Sequence, residues 1–327
     1  MSNLVGAHVS AAGGVYKAIE RIQAIGGNSF ALFLKNERRW VEKPYEADVV
    51  TKFHERTKEA AFNPLTSILP HGSYLINLAS PDDEKRAKAY NALLDDLKRC
   101  ELLGIGLYNL HPGSALGSPK KEAIARIAME INKAHKETKY VKIVLENMTG
   151  NKERVVGTDL QDLADIIAGV EVKERVGVCI DTCHSFAAGY DIRTQDVFDD
   201  FWEQFDAKIG YKYLLGMHLN DSKHPHASGR DVHENIGVGF LGLEAFRLVM
   251  NKPELSGVPK VLETPHDPKN DQRKDEIELL KWLIGKTEED IQGRASELSS
   301  LGAKSRREIE GKQTKLSFQA KRQKKVI

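Results

Sequence analysis

Three cysteines in 327 residues are too few, and odd in number, for a disulfide framework; they suit a reducing compartment. No apolar run approaches the roughly 20 residues that a membrane-spanning helix needs. The opening MSNLVGAHVSAAGG has no basic segment followed by an apolar core, so no secretory signal is expected. Neither sign of charge dominates, since the net charge is +1, and bulk charge alone does not mark a nucleic-acid binder. That near-neutrality hides an asymmetry. Residues 286–327 hold 11 Lys/Arg and 6 Asp/Glu, a net +5, which leaves −4 over residues 1–285.

What the chain does have is alternation. Short apolar runs at 4–9, 29–34, 66–70, 107–110, 142–145, 176–180, 213–219 and 260–262 are bounded by Gly, Pro, Asn or Asp, as buried parallel strands are. Helical patterns lie between them, at about 120–138, 158–168, 194–208, 241–251 and 273–285. A further one opens at Pro81-Asp82-Asp83-Glu84 and stops at Gly104. Eight strands alternating with helices predict one (β/α)8 TIM barrel, with a doubly wound open sheet as the alternative. The expected division is a catalytic barrel over 1–285 and a polar, basic, unstructured tail over 286–327.

The chemistry sits where the strands end. His71 and His111 follow strands three and four. Glu146 follows strand five, and Asp181 ends strand six with His184 three residues on. Strand seven carries His218, its loop holds Asp231 and His233, and strand eight ends at Glu263. In a parallel barrel all these ends meet at one mouth, where barrel active sites lie. A lone histidine at a strand end is more often structural than catalytic, but six consecutive strands ending in metal-competent residues form a pattern. Four carboxylates in one dry pocket repel each other strongly unless cations neutralise them. Nitrogen and oxygen donors without thiolate suit zinc, with manganese or iron as alternatives. With one bridging carboxylate, nine side chains serve three metals, whose charge would turn −4 into about +2.

At these residues the chain resembles the endonuclease IV family of abasic-site endonucleases over residues 4–285. The matching stretches are GAHVSAAGG from Gly6, LPH ending at His71, NLHPGS from Asn109, LEN from Leu145, GVCIDTCH from Gly177 and GMHLND from Gly216. The resemblance implies three zinc ions: one on His71, His111 and Glu146, and a second sharing Glu146 with Asp181, His218 and Glu263. The third would lie on His184, Asp231 and His233. It implies cleavage of the phosphodiester 5′ to an abasic site, leaving a 3′-hydroxyl and a 5′-deoxyribose phosphate, and removal of blocked 3′ ends. Glu146 and Glu263 would be the catalytic carboxylates, with Glu263 orienting the attacking water. Flipped-out, bent double-stranded DNA would be recognised without regard to sequence. Arg38, Tyr74 and Leu75 would enter the stack, and Lys35 beside them would contact phosphate, together with Arg39 and Trp40. Val232 stands where the family usually has Arg, which bears on a DNA contact from that position and not on the ligation, and Gly72 stands where bacterial members tend to have an acidic residue.

Blander readings cover the remaining candidates. Cys179 and Cys183 are expected to be buried structural thiols, His8 to line the pocket without ligating, and His54 and His135 to lie on the surface. His224 and His226 are substitutes for ligands in the loop before Asp231. Lys321–Lys325, with Lys304, Arg306 and Arg307, resembles a nuclear-import signal, as against a merely solvating tail. The expected location is the nucleus, with mitochondria as a second destination, for a monomer. Residues 313–318 partly match a sliding-clamp peptide, but Gln319 and Ala320 displace its aromatic pair. The rival enzyme is a sugar isomerase or epimerase on the same barrel, which needs only Glu146, Asp181, His218 and Glu263 around one metal. A noncatalytic DNA-binding scaffold would need no intact ligand set.

Overall fold

Hydrophobic strands of three to six residues alternate with helices whose apolar stripe faces them. The computed structural model describes residues 3–267 and 271–323, with side chains through Lys312. In chain order these are β1 (Leu4–His8), α1 (Lys17–Ala24), β2 (Ser29–Ala31), α2 (Ala47–Glu59), α3 (Asp83–Leu102) and β3 (Leu107–Leu110). Next come α4 (Lys120–Glu137), β4 (Lys142–Glu146), α5 (Leu160–Gly169), β5 (Val176–Asp181), α6 (Thr182–Ala188), α7 (Gln195–Lys208) and β6 (Leu214–His218). A hairpin of β7 (Asp221–Ser222) and β8 (His233–Glu234) precedes α8 (Leu243–Asn251), β9 (Pro259–Leu262), α9 (Arg273–Trp282) and α10 (Glu288–Gln323).

Seven strands form one parallel sheet in the order β2-β1-β9-β6-β5-β4-β3. Residues 68–71 close it, bridging Phe30 through Ile68 and Asn109 through His71. The third expected strand is therefore present as a run of bridges, held by Leu69 N–H to Phe30 O at 2.9 Å and Asn109 N–H to Pro70 O at 2.8 Å. Pro70 lacks an N–H and shortens the regular ladder there. The closed barrel holds, and the open-sheet alternative does not. Its interior is plugged by Leu69, Leu107, Val144 and Cys179, while the larger core lies between the sheet and the helix ring.

Local signals account for the long helices. Asp82 accepts the N–H groups of Glu84 and Lys85 and caps α3, and Asp159 accepts that of Gln161 to cap α5. Unanticipated are α1 and α6, too short for a full periodic pattern, and α2, whose polar surface leaves only Phe53 and Thr57 buried.

Within the tail, residues 288–323 are helical, and Ile291 and Leu298 are buried against the barrel. Three of its apolar residues, Ile291, Ala295 and Leu298, fall on one stripe spaced to meet a single surface, while Leu301 is exposed. The clamp-like peptide and the side chains of Lys321–Lys325 lie outside the described side chains.

Candidate metal centre

The barrel brings all nine expected ligands to one mouth, and Glu146 is its hub. This carboxylate ends β4 and is fully buried. Its Oε2 lies 3.2 Å from His71 Nε2 and 3.3 Å from His111 Nε2. Its Oε1 lies 3.0 Å from His218 Nδ1 and 3.3 Å from His184 Nδ1. Glu263 reaches the same His218 nitrogen at 3.3 Å. Asp231 Oδ1 stands between His184 Nε2 at 3.1 Å and His233 Nε2 at 3.2 Å, and His233 Nε2 is 3.8 Å from Asp181 Oδ2.

Backbone geometry turns several of these rings inward. His71 Nδ1 donates to Gly72 O, His184 Nδ1 to Asn147 O and His233 Nδ1 to Glu263 O, at 2.8, 2.8 and 3.2 Å. A carbonyl can only accept, so each Nδ1 carries a proton and each Nε2 is the nitrogen left facing the pocket. Asp181 serves twice. It is the N-cap of α6, accepting His184 N–H at 2.7 Å, and so places His184 as well as itself.

Three asparagines that sequence reasoning passed over hold the carboxylates. Asn109 donates to Glu146 Oε2 and Asn220 to Asp181 Oδ2, both at 2.6 Å. Asn220 Oδ1 accepts Glu263 N–H at 2.9 Å, and Asn147 Oδ1 accepts Asp181 N–H at 2.6 Å. A signal for two of them existed, since Asn109 and Asn220 stand two residues from His111 and His218, the spacing of one strand face.

Charge in the pocket is balanced by proximity. Burial raises the Glu146 carboxyl, but His218 and His111 outweigh it and hold it well below the usual carboxylate range. Burial likewise opposes charge on His233, yet Asp231, Asp181 and Glu263 push its imidazole up to about 9. The field at the mouth therefore favours positive charge.

The donors fit metal ions. Buried His184 Nε2 and His233 Nε2 have no hydrogen-bond partner although Asp231 lies within reach of both, and His218 faces Glu146 and Glu263 through Nδ1. Ligands about 2.0–2.1 Å from a tetrahedral zinc are roughly 3.3 Å from each other, the spacing observed here. Sets with donor atoms within 4.8 Å include His71-Glu146-His218, His184-Asp231-His233 and Glu146-Asp181-His218-Glu263.

Other candidates sort by burial. His8 lines the pocket, 3.3 Å from Glu263, while His224 and His226 lie outside the donor sets found among the described residues. Cys179 and Cys183 are buried free thiols, the latter within the donor set of Asp181 and His233. His135 is not on the surface: it is buried on α4, and burial followed by nearby Arg175 lowers its imidazole to about 4. At the rim, the Arg38 side chain is 89% exposed and Tyr74 66%, with the Tyr74 ring 5.7 Å from His71 and 5.6 Å from His111. Leu75 is half-buried, and Trp40 packs on the core beneath Lys88. Lys35 is a correction. Its ammonium is buried against Asp95 and Asp96, at 3.1 and 3.2 Å, and cannot reach a phosphate outside.

Residues 19–283 match the family described as xylose isomerase-like TIM barrel. Apurinic-apyrimidinic endonuclease 1 of Saccharomyces cerevisiae is 50% identical over 287 residues, which is 88% of this chain and 77% of that protein. A probable endonuclease 4 of Campylobacter curvus is 46% identical over 85% of this chain and 97% of its own. The solved endonuclease IV from Thermus thermophilus superposes with a TM-score of 0.75 at 29% identity, covering 86% of this chain and 98% of that one. The chain belongs to the xylose isomerase-like TIM barrels and, within them, to the endonuclease IV family of apurinic-apyrimidinic endonucleases.

Proposed function

We propose that this chain is a DNA-repair endonuclease that hydrolyses the phosphodiester 5′ to an abasic site and removes blocked 3′ ends, with three zinc ions at the barrel mouth. The observation that carries this is the surplus of converging donors. A one-metal isomerase uses Glu146, Asp181, His218 and Glu263; it has no use for His71, His111, His184, Asp231 and His233, which lie beside them within 3–4 Å of a carboxylate. A noncatalytic scaffold has no use for any of the nine.

When bound, divalent cations supply Lewis acidity toward the phosphate oxygens and lower the pKa of the attacking water. The remaining steps belong to the chain. Glu146 holds the two halves of the histidine set in one charge-balanced frame, with Asn109 fixing its rotamer. Glu263, steadied by His8 and by its own N–H on Asn220, presents a carboxylate that orients the attacking water and accepts its proton. Arg38 at the rim contacts the phosphate backbone, and Tyr74 with Leu75 fills the space left by an extruded nucleotide. Lys35 takes no part in DNA contact; it anchors the root of the Arg38 loop to α3. The basic tail supports a nuclear location, with mitochondria as a second, and the protein acts as a monomer.

A duplex carrying one abasic analogue at a known position tests the reading. One incision 5′ to the lesion, lost on chelation and restored by zinc, is expected. Epimerisation of free sugars with one bound metal and intact duplex would overturn it.

A further inference from the structure

Asp231 and His233 flank Val232 at the start of the two-residue strand β8, which pairs with β7. Beyond it, the turn 235–242 is gripped on its inner side by two buried carboxylates. Glu276 of α9 accepts Ile236 N–H at 2.8 Å and Thr264 Oγ1 at 2.5 Å, while Asp221 accepts the N–H groups of Gly239, Leu241 and Gly242 at 2.8–3.2 Å. The outer side, Gly237 and Val238, is covered by α10.

At Gly302 the two backbones approach too closely for a side chain, and at Gly237 the Leu298 side chain fills the space. A Cβ on Gly302 would lie 2.0 Å from Val238 O, and one on Gly237, whose φ is +79°, would lie 2.9 Å from Leu298 Cδ1. Arg306 then crosses the contact. Its Nη1 donates to Val238 O and, at 3.4 Å, to Gly239 O, while Nη2 donates to Ser299 O and Oγ at 2.7 Å. One guanidinium thus ties the helix to the turn, which removes Arg306 from the basic residues open to an import receptor.

We infer that α10 is a brace for the Asp231–His233 arm, with Arg306 as its positioning residue. Helix and inner carboxylates hold the turn from opposite sides, and so keep Asp231 and His233 facing His184. The bracing concerns the turn itself; its effect on metal rests on the three-metal reading proposed above. Groups hydrogen-bonded directly to a metal ligand are worth about 10–100-fold in metal affinity, which is the upper bound for a brace that acts through the turn.

The test compares the full chain with Arg306→Ala, Arg306→Lys and a chain ending at Gly285. Hydrogen exchange is followed in peptides covering 230–242 and 176–184, and zinc is counted during a timed chelator challenge. In Arg306→Ala and the shortened chain, amides 233–242 should exchange faster, and one zinc equivalent should leave sooner than in the full chain, by at most about 10–100-fold. The other equivalents and the 176–184 amides should be unchanged, and Arg306→Lys, which restores one donor, should recover part of the effect. Unchanged exchange in Arg306→Ala overturns the brace, and this variant decides the matter if the shortened chain unfolds. Faster exchange with zinc leaving as in the full chain overturns the link to the arm. A full chain that never holds three zinc ions would defeat the functional reading instead, with the exchange comparison still standing.

Discussion

The Lys35 ammonium lies 3.2 Å from Asp96 Oδ1, and both side chains are almost wholly withdrawn from water. Tyr108 donates to the other Asp96 oxygen at 2.7 Å, so the pair is also hydrogen-bonded. Removing one partner of a buried ion pair strands the other, which costs about 3–5 kcal/mol. Lys35→Met should therefore lower stability to urea while leaving the salt dependence of DNA binding unchanged. Arg38→Ala should do the reverse, reducing the salt slope by about 1. A salt slope altered by Lys35→Met with stability intact would return Lys35 to the DNA interface.

Asp96 also makes a pH prediction. Burial raises its carboxyl to about 6, and Lys35 and Tyr108 counter only part of that rise. The folded state then binds its proton more tightly than the unfolded chain, where the pKa is about 3.9. The resulting stabilisation is present below pH ~4 and is lost as the pH rises through about 6. Asp96→Asn, neutral throughout, should lack this slope. Denaturant midpoints of the two proteins at pH 4.5 and 7 should differ in that sense, and a constant difference would contradict it.

Glu146→Gln keeps the volume of the hub but removes the charge facing four histidines. Zinc affinity should fall by more than about a hundredfold, beyond the loss expected for a residue that only orients ligands. Cleavage should be lost with it, and circular dichroism should be unchanged because the barrel core does not depend on this side chain. Near-normal turnover with full zinc content would remove Glu146 from the role given to it.

Tyr74 is exposed at the rim and Leu75 is half-buried, so the aromatic ring should carry the larger share of the wedge. Stacking on an aromatic side chain is worth about 1–3 kcal/mol per base. Tyr74→Ala should weaken binding to abasic duplexes accordingly and leave zinc content alone. Ends that are already frayed should be processed with a smaller loss, since little unstacking remains to be done. Equal losses on both substrates would show that Tyr74 acts in some other way.

The sequence by itself determined the barrel and the membership of its mouth. Apolar runs of strand length alternating with helical patterns leave few closed topologies, and a parallel barrel sends every strand's C-terminal end to one face. His71, His111, Glu146, Asp181, His218 and Glu263 could be placed from that rule without knowing a single contact. The tertiary structure decided what periodicity does not encode. Lys35 reads as one of several exposed cations near Arg38, and only the approach of α3, with Asp95 and Asp96, turns it inward. His135 reads as a polar helix residue until the fold buries it beside Arg175, which donates to its carbonyl. The stripe of Ile291, Ala295 and Leu298 is too sparse to hold a helix unaided, because an isolated helix gains little from so few apolar residues. It is seated because Gly302 lets the α10 backbone meet Val238 O and Gly237 leaves room for the Leu298 side chain, a complementarity that exists only once the barrel has folded.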